Sequence, residues 1–475
     1  MNVEVKLTTE DIIRATQGLL INGDMGIPFQ GISTDTRIIQ PGFLFWALKG
    51  KNFDGHTFWK TALDKGAKGL VLAYFPEGFK VEEIPKTISV ILVKDTLKAL
   101  GDLGNFWRKK LNFQVIGITG SCGKTTTKEL TFSILNLYFK TSKNLANYNN
   151  LIGVPLSILS FKEDTEIAVL EVGTNAPGEI ERLAQIIEPQ ISVLTCVYPA
   201  HLEGLGSVEG VLEEKIKLFE YTSSSGTLIY NYDQPLVRER TKLFSQRKIS
   251  FGFNPEADFS ISKVEIEESK IKAQISYQGN TYPLEIPNFG KHYLLNLLAG
   301  LAVASCFELD LKEILENLGK KISLYSRIKV YKAADFWVID DTYNANPGSM
   351  KTALEFLLTL GVKEMKKVAI LGDMKELGSY AKEFHREIGR KAGEVVEEAY
   401  FVGEMAEEYA QGFSLSKKPF KIYSEVEALL KDLERELKFE KAIILIKGSR
   451  ALKMERIVEK LLSEKTQNVL LPSLS

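Results

Sequence analysis

Hydrophobic positions along the chain follow two alternating patterns. Some are short apolar runs rich in β-branched residues, and others are longer stretches in which apolar residues recur at helical spacing. Near the amino terminus, runs at 42–48, 69–73 and 88–93 predict strands, and 58–66 and 96–109 predict helices, which makes a small α/β unit. An apolar strand at 113–117 then enters a glycine-rich turn, followed by helical spacing over 126–138. Runs at 166–171 and 191–197, with a helix at 177–187 between them, read as buried strands of a parallel sheet. Over 257–286 the rhythm becomes period two with a turn at Gln278-Gly279-Asn280, so a β-hairpin insert is expected before a helix at 296–307. Strands at 336–340, 367–371, 399–402 and 442–446 resume the βα alternation. The expected fold class is α/β in three domains: a small α/β domain at 1–109, a central parallel-sheet P-loop ATPase domain at 110–321, and a Rossmann-like domain at 322–475.

Composition narrows this picture without changing it. A chain of 475 residues exceeds what one core organises, which agrees with several domains, and 44% hydrophobic with 25% charged residues is ordinary globular usage. The net charge of −1 offers no broad basic field, so nucleic acid is excluded as a partner class. Three dispersed cysteines, Cys122, Cys196 and Cys306, fit neither a disulfide framework nor a zinc spacing, and a reducing cytosol is expected. No apolar run reaches the roughly 18 residues of a membrane span, and the amino terminus lacks a signal-peptide block. A cytoplasmic monomer is the expectation.

Chemistry enters at Gly117-Ile118-Thr119-Gly120-Ser121-Cys122-Gly123-Lys124-Thr125-Thr126, which lies between a strand and a helix. Backbone N–H groups of such a turn, with the positive end of the helix, cradle phosphate. Lys124 is placed for the β- and γ-phosphates of ATP and the Thr125 hydroxyl for Mg²⁺. Ile118 stands where the general motif has its first glycine, so the loop is a variant. Glu171 ends a strand expected beside this loop, and His201 follows the next strand; a carboxylate there suits Mg²⁺, and the histidine suits metal or phosphate. Read singly, each could equally be a solvated strand-end residue.

Several strings together resemble the Mur ligases of peptidoglycan synthesis over nearly the whole chain. They are the glycine loop, Asn149-Asn150-Leu151-Ile152-Gly153-Val154-Pro155, Glu171-Val172-Gly173-Thr174-Asn175, His201-Leu202-Glu203-Gly204, and Asp341-Thr342-Tyr343-Asn344-Ala345-Asn346-Pro347. That resemblance implies an ATP site at Gly120, Ser121, Cys122, Gly123, Lys124, Thr125 and Thr126, with His292 and Asn296 near the adenine. Arg327, Asp341 and Asn344 would complete the ATP site from the third domain, and Tyr343 and Asn346 would lie on the side of an incoming D-alanyl-D-alanine. Lys124, Glu171, His201 and Lys215 would be catalytic, with Thr125, Glu171, His201 and a carbamylated Lys215 around Mg²⁺. In the first domain, Thr34, Asp35, Thr36, Arg37, Gly50, Asp54, Gly55 and His56 would hold the uridine-diphosphate end of a UDP-N-acetylmuramoyl-tripeptide. Two positions depart from the family's pattern: Lys215-Ile216-Lys217 replaces Lys-Gly-Glu, and Tyr293 replaces Asn.

The implied reaction is amide formation through an acyl phosphate. Open alternatives are a relative adding a single amino acid, a folylpolyglutamate synthetase-like ligase, a switch protein that only hydrolyses ATP, and a ligase-like protein without catalysis. The Tyr343-Asn344-Ala345-Asn346-Pro347 string favours a dipeptide acceptor.

Overall fold

The computed structural model describes residues 2–50, 52–145, 147–333, 335–360, 364–435, 439–463 and 466–469; the last residues of the expected third domain, 470–475, lie outside these. Its strands form three sheets of six, nine and seven strands, and the α/β class with three domains is borne out.

In the first sheet Pro28–Ser33, Leu44–Trp46, Gly69–Leu72 and Ser89–Leu92 run parallel, with Asn2–Thr8 and Leu19–Asn22 added antiparallel at the two edges. Neither edge strand was read: Leu19–Asn22 has only four residues, while the alternation along Asn2–Thr8 was a legible signal that went unused. The central sheet is parallel through Arg247–Gly252, Thr227–Asn231, Ile191–Leu194, Gln114–Thr119, Ile167–Glu171 and Thr141–Lys143, in that spatial order. Gln114–Thr119 lies between Ile191–Leu194 and Ile167–Glu171, so the loops leaving all three strands meet at one sheet edge. This is where open α/β sheets bind ligands. The expected hairpin is a three-stranded antiparallel extension, Phe259–Ile266, Lys270–Tyr277 and Asn280–Pro287, with the turn at Gln278-Gly279. In the third sheet Phe336–Asp341, Ala442–Lys447, Lys366–Gly372, Glu398–Val402 and Phe420–Tyr423 are parallel, with Asp341 paired in register with Lys447.

Two helices start earlier than their apolar spacing suggests. Lys124–Leu135 begins at the glycine loop, where Lys124 to Thr126 line the cavity, and Lys291–Ser305 begins with Lys291 and the cavity-lining His292 before its core residues Tyr293 and Leu294. The helix Thr96–Leu111 packs on Gly153–Leu159 and Glu179–Ile187, so the first and central domains share one apolar core containing Leu100, Leu103, Leu156 and Ile186. A second core runs from Leu202, Leu205 and Phe219 of the central domain to Met350, Met374 and Leu377 of the third. The third domain is thereby held against the central sheet. Among the described residues, no helix is long and apolar enough to cross a membrane.

Candidate active site

The glycine loop lies hard against its neighbours. A side chain at Gly120 (φ +151°) would put Cβ 1.9 Å from the Thr195 hydroxyl, and one at Gly123 (φ +79°) would put it 2.3 Å from the Asn296 amide oxygen. Only glycine satisfies both the backbone and the space. The helix that follows has no side-chain cap, so its first N–H groups remain available to an anion. Ser121 is fixed by Tyr198, whose N–H donates to the Ser121 hydroxyl at 2.9 Å while that hydroxyl donates to the Tyr198 carbonyl at 3.0 Å.

Below the loop, the Thr125 hydroxyl donates to Glu171 at 2.6 Å and the Asn149 amide donates to the other carboxylate oxygen at 2.8 Å. Glu171 is almost wholly buried, and its backbone is clamped by Asn144, which bonds both its N–H and its carbonyl at 2.9 Å. A buried carboxylate beside a hydroxyl supplies hard oxygen donors, which fits Mg²⁺ shared with phosphate and water. Among the described residues no three His, Cys, Asp or Glu side chains cluster as a self-sufficient metal site. Lys124 reaches back to the Gly120 carbonyl at 2.7 Å. Lys215, on the helix Val208–Glu220, is buried, and its pKa is lowered to about 7 by burial and by the charge of Lys124.

The third domain roofs this floor. Arg327 donates to the Thr125 hydroxyl and lies 3.9 Å over the Tyr343 ring. Lys447, 2% exposed, pairs with Asp341 at 2.6 Å and donates to the Asn344 carbonyl at 2.9 Å. Burial raises the Asp341 pKa against the opposing pull of Lys447. Asn346 caps the helix Pro347–Thr359 through Ser349 and also reaches the Cys122 thiol at 3.4 Å. His201 (φ +54°) is paired with Glu376 (φ +65°) across the domain boundary, and the Glu376 carbonyl accepts from the Glu203 N–H at 3.1 Å. The hydrogen bond from His201 lowers the Glu376 pKa. His292 is held neutral, its pKa lowered to about 4 by burial and by Lys447.

One cavity of about 530 Å³ therefore gathers Ser121 to Thr126, Glu171, His201, His292, Asn296, Arg327, Asp341, Tyr343, Asn344 and Asn346. Gly120 and Lys215 do not line it. The first-domain residues do not line it. Thr34, Asp35, Thr36 and Arg37 form a loop in which the Arg37 guanidinium grips Asp35, holding that carboxyl at about 2. Gly50 and Gly55 donate backbone bonds to Phe53 and Leu48, both at 2.8 Å. His56 accepts the Ala73 N–H at 2.9 Å, so its other nitrogen carries the proton given to Asp54 at 2.7 Å, and Tyr74 stacks on the ring. Sequence reasoning missed Asn144 and Tyr198; it placed the string Leu371 to Gly378 near the site through the family resemblance, but not the pairing of Glu376 with His201. The Asn149-Asn150 doublet was a legible signal for its neighbourhood, whereas nothing in Met374-Lys375-Glu376 announces a partner in another domain.

A variant phosphate loop under a third-domain roof, with a separate α/β domain in front, defines a three-domain nucleotide-dependent ligase architecture. The chain belongs to the Mur ligase family: models described as the Mur ligase family catalytic domain, the Mur ligase middle domain and the Mur ligase glutamate ligase domain match residues 28–108, 118–304 and 326–450. It is 33% identical over 463 residues to the UDP-N-acetylmuramoyl-tripeptide–D-alanyl-D-alanine ligase of Bacillus subtilis, covering 96% of this chain and 99% of the relative. Among solved structures, MurF from Acinetobacter baumannii superposes with a TM-score of 0.87 at 28% identity, covering 97% of this chain and 100% of that one. The MurF ligase of Thermotoga maritima in complex with ADP gives 0.79 at 29% identity, covering 91% and 97%.

Proposed function

We propose that this chain is an ATP-dependent ligase that joins D-alanyl-D-alanine to UDP-N-acetylmuramoyl-tripeptide, giving the pentapeptide precursor of peptidoglycan. The observation that carries the reading is the meeting of the Tyr343-Asn344-Ala345-Asn346 segment with the glycine loop, directly through Asn346 to Cys122 and indirectly through Arg327, which lies over Tyr343 and donates to Thr125. Relatives bearing that activity support it over nearly the full chain.

In this reading the loop Gly120 to Thr126 binds the ATP phosphates through the uncapped N–H groups at the start of its helix and through Lys124, and His292 and Asn296 flank the base. Thr125 and Glu171 hold Mg²⁺, with His201 and a carbamate on Lys215 assisting. Bound there, the ion supplies charge neutralisation on the phosphates. Arg327 brings a further cation to the same charge, which is what phosphoryl transfer chiefly needs. The low pKa of Lys215 leaves much of its amine unprotonated near neutrality, the form that reacts with carbon dioxide. The terminal tripeptide carboxylate attacks the γ-phosphorus and ADP departs; the dipeptide amine then attacks the acyl carbon and phosphate departs. The closed third domain keeps water from the acyl phosphate.

Residues 1–109 take the uridine-diphosphate end through Thr34 to Arg37, Gly50 and Asp54 to His56; 110–321 take ATP; 322–475 present the dipeptide through Tyr343 and Asn346. The chain works as a cytoplasmic monomer. Mass analysis of the product, with ATP and the tripeptide nucleotide offered D-alanyl-D-alanine or single amino acids, tests the reading. Only the dipeptide should be joined; ATP hydrolysis at equal rate without any acceptor would instead point to a hydrolytic switch.

A further inference from the structure

We propose that Cys122 and Cys196 form a peroxide-sensitive thiol pair, whose disulfide pins the glycine loop to the strand beside it and turns nucleotide binding off. The inference rests on the nucleotide reading for its consequence, but not for the thiol chemistry.

The reaction sketched above uses the backbone of Cys122 and neither thiol. Cys196 follows the strand Ile191–Leu194 and is 7% exposed, while Cys122 is half-buried, and both border the open cavity. The Cys122 N–H donates to the Cys196 sulfur at 3.3 Å, and the Cys196 thiol donates to the Cys122 carbonyl at 3.4 Å. That carbonyl also accepts the Thr195 hydroxyl at 2.5 Å, and the Ser121 N–H donates to the Cys196 carbonyl at 2.8 Å, so loop and strand end are stitched at four points. The second sulfur therefore sits against the backbone of the first residue, and the two thiols are hydrogen-bonded neighbours. Cys306 has no such neighbour; its thiol donates to the Ala302 carbonyl within its own helix end.

Reactivity is arranged asymmetrically. Hydrogen bonding from Cys196 lowers the Cys122 pKa against the cost of burial, with Asn346 and the charges of Lys124 and Lys447 adding to it, while Cys196 is pushed up. Cys122 is then the attacking thiolate and Cys196 the resolving thiol. The thiolate attacks one oxygen of a hydroperoxide; the O–O bond breaks, a sulfenic acid forms, and the leaving oxygen takes a proton. The Cys196 thiol attacks that sulfur, the S–S bond forms, and the S–O bond breaks to release water. Two thiols lose two electrons and two protons, and hydrogen peroxide becomes two waters. Drawing the Cys122 side chain to Cys196 takes it away from Asn346, 3.4 Å off, so oxidation also removes one of the contacts between the loop and the third domain.

The test treats the full chain with hydrogen peroxide, blocks remaining thiols with N-ethylmaleimide, and reads unreduced peptides by mass spectrometry beside the affinity for a fluorescent ADP analogue. A linked Cys122–Cys196 peptide, an alkylated Cys306, and an affinity down by about tenfold or more that dithiothreitol restores would support the pair. In Cys196→Ser the same treatment should give no linked peptide and a Cys122 sulfenic acid that dimedone captures. Cys122 and Cys196 both alkylated while Cys306 is oxidised, or complete linkage with unchanged affinity, would overturn it. Failure of the reduced chain to bind the analogue would count against the nucleotide reading, and the linked peptide would still decide the thiol chemistry.

Discussion

At the scale of single residues the site is set by close approach and by charge held away from water. Gly120→Ala should lose measurable ADP binding and about 2–3 kcal/mol of stability, because the new Cβ would fall 1.9 Å from the Thr195 hydroxyl in a left-handed backbone; calorimetric titration and urea unfolding report the two losses. His292 provides a pH signature. Its folded pKa, lowered to about 4, lies below the ordinary histidine value near 6.5, so between these the unfolded chain binds a proton that the folded chain refuses. Stability from this group is whole above about pH 6.5 and falls as pH drops towards 4, by on the order of 3 kcal/mol at most. His292→Asn should flatten that part of the profile, seen as a smaller difference between urea midpoints measured at about pH 7 and about pH 5. Lys124, Thr125 and Glu171 were legible because a glycine turn and a strand-end carboxylate carry their own chemistry. The Glu376 partner of His201 was not, since an ion pair between loops of different domains leaves no local trace.

Among elements, the helix Pro347–Thr359 links fold to function because its cap, Asn346, is also the residue that touches the loop. Asn346→Ala should cost about 1 kcal/mol in urea unfolding, as caps do, and should also raise the KM for ATP. A substitution elsewhere in the helix of equal cost should leave KM unchanged. The buried parallel strands were readable as apolar runs, and Ile167–Glu171 was found nearly to the residue. Asn2–Thr8, Thr227–Asn231 and Thr466–Val469 were not read, although the first carries the alternation of a half-buried strand. The period-two stretch and its turn at Gln278-Gly279 were visible, but its third strand depends on pairing, which a single sequence does not report.

Over the whole molecule, closure is written into a shared core. Leu377 of the third domain is 2% exposed in the same apolar cluster as Leu202 and Leu205 of the central one. Leu377→Ala should loosen this joint, enlarging the solution radius by X-ray scattering and lowering kcat about tenfold while ADP affinity changes less, since the loop itself is untouched. That three domains exist was legible from length and the repeated βα rhythm; that they share cores through Thr96–Leu111 and Leu202–Leu205 was not, because the first looks like an ordinary amphipathic helix and the second is too short to be read as a helix. The central claim is that a peptide carboxylate is phosphorylated at the glycine loop before the amide forms. Oxygen-18 placed in the terminal carboxylate of the tripeptide nucleotide, followed through one turnover with ATP and D-alanyl-D-alanine, tests this most directly. One labelled oxygen in the released phosphate for each amide made is the predicted result; unlabelled phosphate alongside the pentapeptide product would contradict it.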